Sequence, residues 1–199
     1  MNEINLSFLE LKTFSEQDAI DYCQLNSINL LNITELDLSS NNLTDISGIK
    51  LFKNLEELYI ENNKLTDITV LKDLNKLKSL DISKNNIKNL DSIKYLNNLI
   101  GLEFYKNKIT DITVLKNLIK LKYLCLGNNE ITDISVIQNF KELEILNIQN
   151  LELKSLIRFS YINKCKKLKY LWCSKGFENS SAAVDLINKN INIYSTIYE

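Results

Sequence analysis

The sequence predicts an α/β repeat solenoid, in which short parallel strands from successive repeats stack into one sheet. Between Ile33 and Glu142, five segments of 22 residues follow one another without a gap, and each fits the pattern L-x-x-L-x-L-x-x-N-x-L. Positions 1, 4, 6, 11, 14, 17 and 20 of each segment are apolar. The first six residues alternate as in a strand, and the later apolar residues step by three as in a 3₁₀ or helical turn. We therefore expect a sheet of about seven to eight strands, with short 3₁₀ or helical turns on the opposite side.

Composition and charge limit the classes of partner. The chain has 199 residues, 45% of them hydrophobic, and a net charge of -1. A repeat array buries one continuous core, so we expect a single domain over residues 1–199. The near-zero net charge argues against nonspecific electrostatic binding to nucleic acid or to an anionic membrane. The first residues form no basic region followed by an apolar run, which predicts a cytoplasmic protein, although secretion without a signal sequence would leave no mark.

Residues 1–32 do not fit the repeat and are predicted to form an N-terminal cap over the core of the first repeat. Ser15 to Leu25 is predicted to be a short helix because Ser15 can cap it and Asp18 follows three residues later. An apolar stripe on this helix is expected to face the repeats, and it consists of Ala19, Ile20 and Cys23.

The pattern loosens after the fifth repeat. Residues 143–178 are predicted to form two irregular repeats, with Leu151 in the position that Asn occupies earlier. Residues 179–199 are predicted to form a C-terminal cap, with a helix from Ser180 and a last edge strand from Ile191. The side chains expected to point inward from that helix are Ala183, Val184 and Ile187.

One asparagine recurs at position 9 of every full repeat. A side-chain amide at the point where the chain leaves its strand can satisfy backbone groups of its own coil and of the adjacent coil. These residues are therefore predicted to be structural and to form a ladder: Asn41, Asn63, Asn85, Asn107 and Asn129.

The tripeptide Thr-Asp-Ile follows the asparagine turn in four repeats, beginning at Thr44, Thr66, Thr110 and Thr132. With the 22-residue unit, it resembles the short-repeat leucine-rich class, which includes bacterial internalins and the leucine-rich regulatory subunit of protein phosphatase 1. The resemblance covers about residues 33 to 178. It implies a curved leucine-rich repeat solenoid, a horseshoe or arc with the parallel sheet on its concave side, and a role in protein binding.

Positions 3, 5 and 7 of each strand point away from the core and define the predicted binding surface. Acidic residues collect in the first four repeats, whereas the later repeats carry aromatic and aliphatic side chains, which are frequent in interface hot spots. The predicted partner-binding residues are Glu35, Asp37, Glu57, Tyr59, Glu61, Asp81, Glu103, Tyr105, Tyr123, Cys125, Ile145, Asn147, Tyr170 and Trp172.

These patterns predict a non-enzymatic protein-binding module without a cofactor, metal or small-molecule substrate. The chain has no histidine, so an exposed nucleophile such as Cys125 would lack its usual base, and the four cysteines show no metal-binding spacing. The expected partner is a protein, with a basic surface as the natural complement of the acids. One alternative is an inhibitor or immunity protein that blocks a basic enzyme or toxin. A second is an internalin-like secreted recognition or virulence factor.

Overall fold

The computed structural model describes residues 2–151, 153, 157–175 and 181–195, and these form a solenoid built on one parallel sheet. Its strands follow one another in chain order, and every neighbouring pair is parallel. The described residues form nine strands: β1 (Glu3–Asn5), β2 (Glu35–Asp37), β3 (Glu57–Tyr59), β4 (Ser79–Asp81), β5 (Gly101–Glu103), β6 (Tyr123–Cys125), β7 (Ile145–Asn147), β8 (Tyr170–Trp172) and β9 (Asn192–Tyr194). The predicted fold class is confirmed, with one strand more than expected because the N-terminal cap also contributes a strand.

Short 3₁₀ helices form the side opposite the sheet, as the three-residue step of the apolar positions predicts. They are Leu30–Asn32, Ser47–Leu51, Thr69–Asp73, Asp91–Ile93, Thr113–Asn117 and Ser135–Asn139. The aspartate of the Thr-Asp-Ile tripeptide starts four of these turns, namely those that begin at Ser47, Thr69, Thr113 and Ser135. The Oδ1 atom of Asp67, for example, accepts a hydrogen bond of 2.7 Å from the amide of Thr69. The motif therefore satisfies a backbone donor at the beginning of a helix.

The core is a continuous column of leucine, isoleucine and phenylalanine side chains that runs from Ile4 to Ile191. Each buried side chain of this size contributes about 1.5 to 3 kcal/mol. The seven predicted apolar positions of the second repeat are all buried: Leu55, Leu58, Ile60, Leu65, Ile68, Leu71 and Leu74. The domain boundaries inferred from the sequence stay predictions.

The asparagine ladder is present. In Asn85, Nδ2 donates to the carbonyl of Ile60 in the preceding repeat (3.0 Å) and to that of Ile82 in its own repeat (3.1 Å). Its Oδ1 accepts from the amide of Leu65 (3.0 Å). One side chain thus joins two coils at a point where the backbone cannot bond to itself.

The residue before each ladder asparagine has a left-handed backbone, with φ between 52° and 56°. This conformation turns the chain out of the strand and is uncommon for residues other than glycine, although Asn tolerates it best. The residues concerned are Ser40, Asn62, Lys84, Lys106 and Asn128, and Asn150, which precedes Leu151, has the same conformation.

The N-terminal cap contains the predicted helix, α1 (Glu16–Leu25). Ser15 and Asp18 form a reciprocal capping box, in which the Ser15 amide donates to Asp18 Oδ2 (2.7 Å) and the Asp18 amide donates to Ser15 Oγ (3.2 Å). Ala19 and Cys23 are buried as expected, whereas Ile20 is only half-buried. Strand β1, which the sequence did not reveal, pairs in register with β2.

The C-terminal end departs from the repeat. Helix α2 (Ile157–Ile162) takes the place of a 3₁₀ turn between β7 and β8 and packs on the preceding turn, Ser135–Asn139. Leu151, in the former asparagine position, is buried.

The capping helix α3 (Ser181–Ile187) exists, but the prediction of its inward face was partly wrong. Ala183 and Leu186 are buried, whereas Val184 is 53% and Ile187 51% exposed. Residues three apart share one helix face, and the face that carries Ala183 is completed by Leu186. The predicted start at Ser180 and the boundary between residues 178 and 179 lie outside the described residues.

No helix in the described part of the chain is both long enough and apolar enough to span a membrane.

Candidate protein-binding face

The outward residues of the sheet form straight columns because neighbouring strands pair without any shift in register. Position 3 of one repeat lies beside position 3 of the next, as in Glu35 beside Glu57, and position 5 beside position 5, as in Asp81 beside Glu103. We call the outward residues at positions 3, 5 and 7 the concave face. All fourteen predicted partner-binding residues belong to it, and whether they bind a partner stays a prediction.

Acidic side chains run along the N-terminal half of this face. Strand β1 lengthens the run, because Glu3 pairs with Glu35, which in turn pairs with Glu57. Burial raises the pKa of Glu35, and the charges of Glu3, Glu57 and Asp37 raise it further. Carboxylates on adjacent strands are about 4.8 Å apart in backbone spacing and repel by roughly 1 kcal/mol even in water.

The two most buried carboxylates of the face lie side by side in its centre. Burial raises the pKa of Asp81 to about 7, and the charges of Glu103 and Glu61 add to this. A hydrogen bond of 2.8 Å from the Ser83 amide opposes the shift. Burial likewise raises the pKa of Glu103. Near pH 7, a cation placed here would therefore both pair with a charge and relieve a repulsion.

The carboxylates of the concave face have no ion-pair partner among the described residues, although the chain is rich in lysine. Ion pairs form instead outside this face. On the edge where the strands begin, Lys78 pairs with Glu56 (2.6 Å) and Lys169 with Glu144 (2.5 Å). In this part of the chain, adjacent coils neutralise their charges at the edge and leave those of the concave face unpaired.

Tyrosine hydroxyl groups hold two glutamates of the face. Tyr59 donates to Glu57 (2.5 Å), and Tyr123 donates to Glu103 on the neighbouring strand (3.1 Å). Burial raises the pKa of Tyr59 to about 12 and also raises the pKa of Tyr123, so both phenols stay protonated donors at neutral pH. The side chains of these glutamates are thus fixed before any partner arrives.

Three aromatic rings cluster at the C-terminal end of the face. The ring centroids of Trp172 and Tyr194 are 5.0 Å apart and nearly parallel, and Tyr170 lies 6.2 Å from Trp172 and 6.4 Å from Tyr194. Tyr170 is 36% and Tyr194 40% exposed, so the cluster is open to a partner. Tyr194 was not among the predicted site residues. The predicted edge strand from Ile191 could have identified Tyr194, because the register of the preceding strands, continued to this strand, places it beside Trp172.

Two grooves divide the concave face. The larger, of about 480 Å³, crosses the strands from β3 to β8 and is lined by Glu61, Ser83, Lys84, Glu103, Tyr105, Lys106, Tyr123, Cys125, Asn128, Ile145, Asn147 and Trp172. The second, of about 440 Å³, lies over the first strands and is lined by Glu3, Asn5, Phe8, Glu35, Asp37, Ser39, Ser40, Tyr59, Glu61 and Asp81. Five of its lining residues are acidic and none is basic. Glu61 borders both grooves, so they adjoin.

Cys125 is buried and not exposed, which corrects the prediction from its position. Its side chain is 5% exposed, and burial raises the pKa of its thiol to about 12. All four cysteines are buried free thiols. A thiol in this environment is a poor nucleophile. The described residues contain no group of three or more His, Cys, Asp or Glu side chains placed to hold a metal ion.

Comparison with protein families agrees with the architecture. A model for two copies of leucine-rich repeats matches residues 31–73, and a single leucine-rich repeat model matches residues 73–90. No curated protein is significantly similar to the chain.

Solved structures similar to the chain include internalins of Listeria monocytogenes. The internalin InlF is 27% identical, with a TM-score of 0.75, over 98% of this chain and 59% of its own. Internalin C2 is 23% identical, with a TM-score of 0.62, over 89% of this chain and 92% of its own. The functional domain of InlJ, described as including a cysteine ladder, is 21% identical, with a TM-score of 0.66, over 88% of this chain and 39% of its own.

The chain thus spans 59% of the length of the InlF structure. The two likenesses below 25% identity carry information about fold alone. The repeat pattern, the asparagine ladder, the parallel sheet and the comparisons all indicate a leucine-rich repeat array. An array of this kind has the fold of a protein–protein interaction module. The chain carries leucine-rich repeats, folds as a leucine-rich repeat solenoid, and its repeats resemble those of internalins.

Proposed function

We propose that the protein binds a partner protein on its concave face, with the acidic half attracting basic groups and the aromatic half supplying the anchor. The observation that carries the proposal is the absence, among the described residues, of any ion pair to the acids of this face. Unpaired carboxylates in register destabilise the free protein through mutual repulsion, and a basic partner would relieve that repulsion.

The aromatic half supports the same proposal. Exposed tyrosine and tryptophan bury a large area on binding and lose little side-chain entropy, so they dominate many interfaces. The cluster of Tyr170, Trp172 and Tyr194 adjoins the groove that contains Glu103 and Tyr123. Affinity would come mainly from the rings, whereas the acids would set the association rate and its dependence on salt.

An immunity or inhibitor protein is the sharper form of this proposal. The groove over the first strands is lined by five acidic residues and no basic one, which suits the cleft of a basic enzyme. A secreted recognition factor is the second candidate, and the 27% identity to an internalin over nearly the whole chain favours it. Localisation separates the two, because the first form predicts a cytoplasmic protein and the second predicts protein in the culture supernatant.

The test is affinity capture from the native lysate and from host-cell extract, read by mass spectrometry. Wild type is compared with a Tyr123→Ala/Trp172→Ala double variant and with a matched double variant of exposed side chains away from the sheet, Tyr95→Ala/Ile119→Ala. A protein retained by wild type and by the matched control but lost with the concave variant is the expected result. Equal retention by all three would contradict binding through these aromatic residues.

A further inference from the structure

The larger groove of the concave face has a direction, and this direction limits what can occupy it. Its lining begins at Glu61, just after β3, and ends at Trp172 on β8, so an occupant runs across the strands. Its acidic end holds Glu61 and Glu103, and Asp81 of the adjoining groove lies beside Glu103 on the neighbouring strand. Its apolar end, Ile145 and Trp172, lies on β7 and β8. Glu103 on β5 and Trp172 on β8 are three strand spacings apart, about 14 Å.

Two buried polar atoms in this groove make no hydrogen bond of good geometry with a described residue. They are the hydroxyl oxygen of Ser83, a residue only 4% exposed whose side chain lies close to the Asp81 carboxylate, and the Nδ2 atom of Asn128. Buried polar groups without a partner are rare in native proteins because each costs about 1 to 3 kcal/mol. Ser83 lines the groove beside Glu61 and Glu103, and Asn128 lines it two repeats further along. The Ser83 hydroxyl and the Asn128 amide nitrogen can both donate hydrogen bonds, and the backbone carbonyl groups of an extended polypeptide can accept them.

The charges of the groove define the side chain that its acidic end would accept. Glu61, Asp81 and Glu103 repel one another, as the raised pKa values of the last two show. The counterbalancing lysines, Lys84 and Lys106, are exposed on the wall where the strands end, and neither makes an ion pair with a described residue.

Building on the proposed function, we infer that this groove binds an extended polypeptide segment of the partner that carries a basic residue and, about four residues away, an aliphatic or aromatic residue. The basic side chain pairs with Glu61, Asp81 and Glu103, and the apolar side chain packs on Ile145 and Trp172. The spacing follows from 14 Å divided by the 3.3 to 3.6 Å that each extended residue spans. The Ser83 hydroxyl and the Asn128 side-chain amide form hydrogen bonds with the peptide backbone between these two side chains.

The test uses a library of random 12-residue peptides displayed on phage, selected on the immobilised full-length protein. Each selection round is depleted on the double variant Asp81→Asn/Glu103→Gln. The expected result is enrichment of peptides with Arg or Lys three to five positions from Leu, Ile, Phe, Tyr or Trp. Enriched peptides without a basic residue, a random spacing, or no enrichment would each overturn the inference.

The strongest selected peptide is then synthesised with a fluorophore and titrated by anisotropy. We expect the affinity to fall at least tenfold with Asp81→Asn/Glu103→Gln and with Trp172→Ala. It should be unchanged with Asp73→Asn/Glu130→Gln, which removes two exposed charges outside the concave face. Lys84→Ala/Lys106→Ala should strengthen binding, because it removes repulsion of the basic side chain. Equal affinity for wild type and the double acid variant would contradict the inferred pairing.

The outcome is independent of the affinity capture that tests the proposed function. If a folded partner is captured through Tyr123 and Trp172 while no peptide is enriched, the concave face is a binding site but a single extended segment does not fill it. If the capture fails and the peptides show the expected motif, the groove recognises such a segment without a stable protein partner in those extracts.

Discussion

The phenol of Tyr123 on β6 donates a hydrogen bond of 3.1 Å to the carboxylate of Glu103 on β5. This bond joins the acidic and the aromatic halves of the concave face. Burial raises the pKa of Glu103, and the hydrogen bond from Tyr123 opposes that shift by stabilising the charged form. The tyrosine therefore keeps an acid of the groove available for a basic partner and holds its side chain in place.

Replacing Tyr123 by Phe should raise the pKa of Glu103 further, because the charged carboxylate loses a donor. The loss of one hydrogen bond to a charged group should also cost about 1.5 kcal/mol of unfolding free energy. A ¹³C NMR titration of the glutamate carboxyl carbons measures the first effect, and urea denaturation measures the second. Tyr95→Phe, on an exposed ring away from the sheet, is the control. An unchanged Glu103 titration would contradict the role given to this bond.

Asp81 should make the protein less stable as pH rises. Its pKa is about 7 in the folded protein, above the ordinary value of 3.8, so the folded state binds more protons than the unfolded state between those values. The contribution of this residue to stability is therefore greatest below about pH 4, declines as pH rises to about 7, and is constant above that. The effect is on the order of a few kcal/mol, with roughly 2 to 4 °C of melting temperature for each kcal/mol.

The measurement is thermal melting from pH 5 to pH 8 of wild type and Asp81→Asn. The asparagine keeps an oxygen for the Ser83 amide but carries no charge. We expect the variant to melt above wild type at pH 8 and to show a flatter pH dependence. Asp37→Asn, which alters the same type of bond to Ser39 near the end of the sheet, is the control and should retain the wild-type slope. An identical slope for Asp81→Asn and wild type would refute the burial of charge at Asp81.

Asn85 should be far more important for stability than its neighbour Asn86. The Asn85→Ala change leaves the amide of Leu65 and the carbonyls of Ile60 and Ile82 without a partner, at about 1 to 3 kcal/mol for each buried group that stays unsatisfied. Asn86 is half-buried. Melting of the two alanine variants side by side should show a drop of several degrees for Asn85→Ala only. Equal midpoints would refute the ladder.

Two glycines of the sheet region should respond in opposite ways to alanine. A Cβ atom at Gly127 would lie 2.7 Å from the backbone oxygen of Gln149, and overpacking of this kind costs about 1 to 3 kcal/mol. A Cβ atom at Gly101 would meet only the hydroxyl of Ser79 at 3.6 Å. Gly101→Ala should be neutral or stabilise by about 0.4 to 1 kcal/mol through the unfolded state. Urea denaturation of both variants tests the contrast, which a destabilised Gly101→Ala would contradict.

The repeat period made most of the fold readable from the sequence. The spacing of the leucines predicted the strands and turns. The asparagine at position 9 predicted the hydrogen-bonded ladder, of which Asn85 is an example. The prediction failed where the period ends. Glu3 and β1 were missed because the cap has no repeat to reveal its register, and Val184 was placed inward because helix spacing alone does not fix which face docks.

The chain by itself therefore determined the solenoid, the concave columns and the separation of acids from aromatic residues, because identical repeats stack without a register shift. Tertiary structure decided how those columns behave. Packing between coils buried Cys125, raised the pKa of Asp81, linked Tyr123 to Glu103 and brought Tyr194 onto Trp172. Such properties depend on atoms from neighbouring coils, 20 or more residues apart in the chain, whose distances and exposure no single repeat contains.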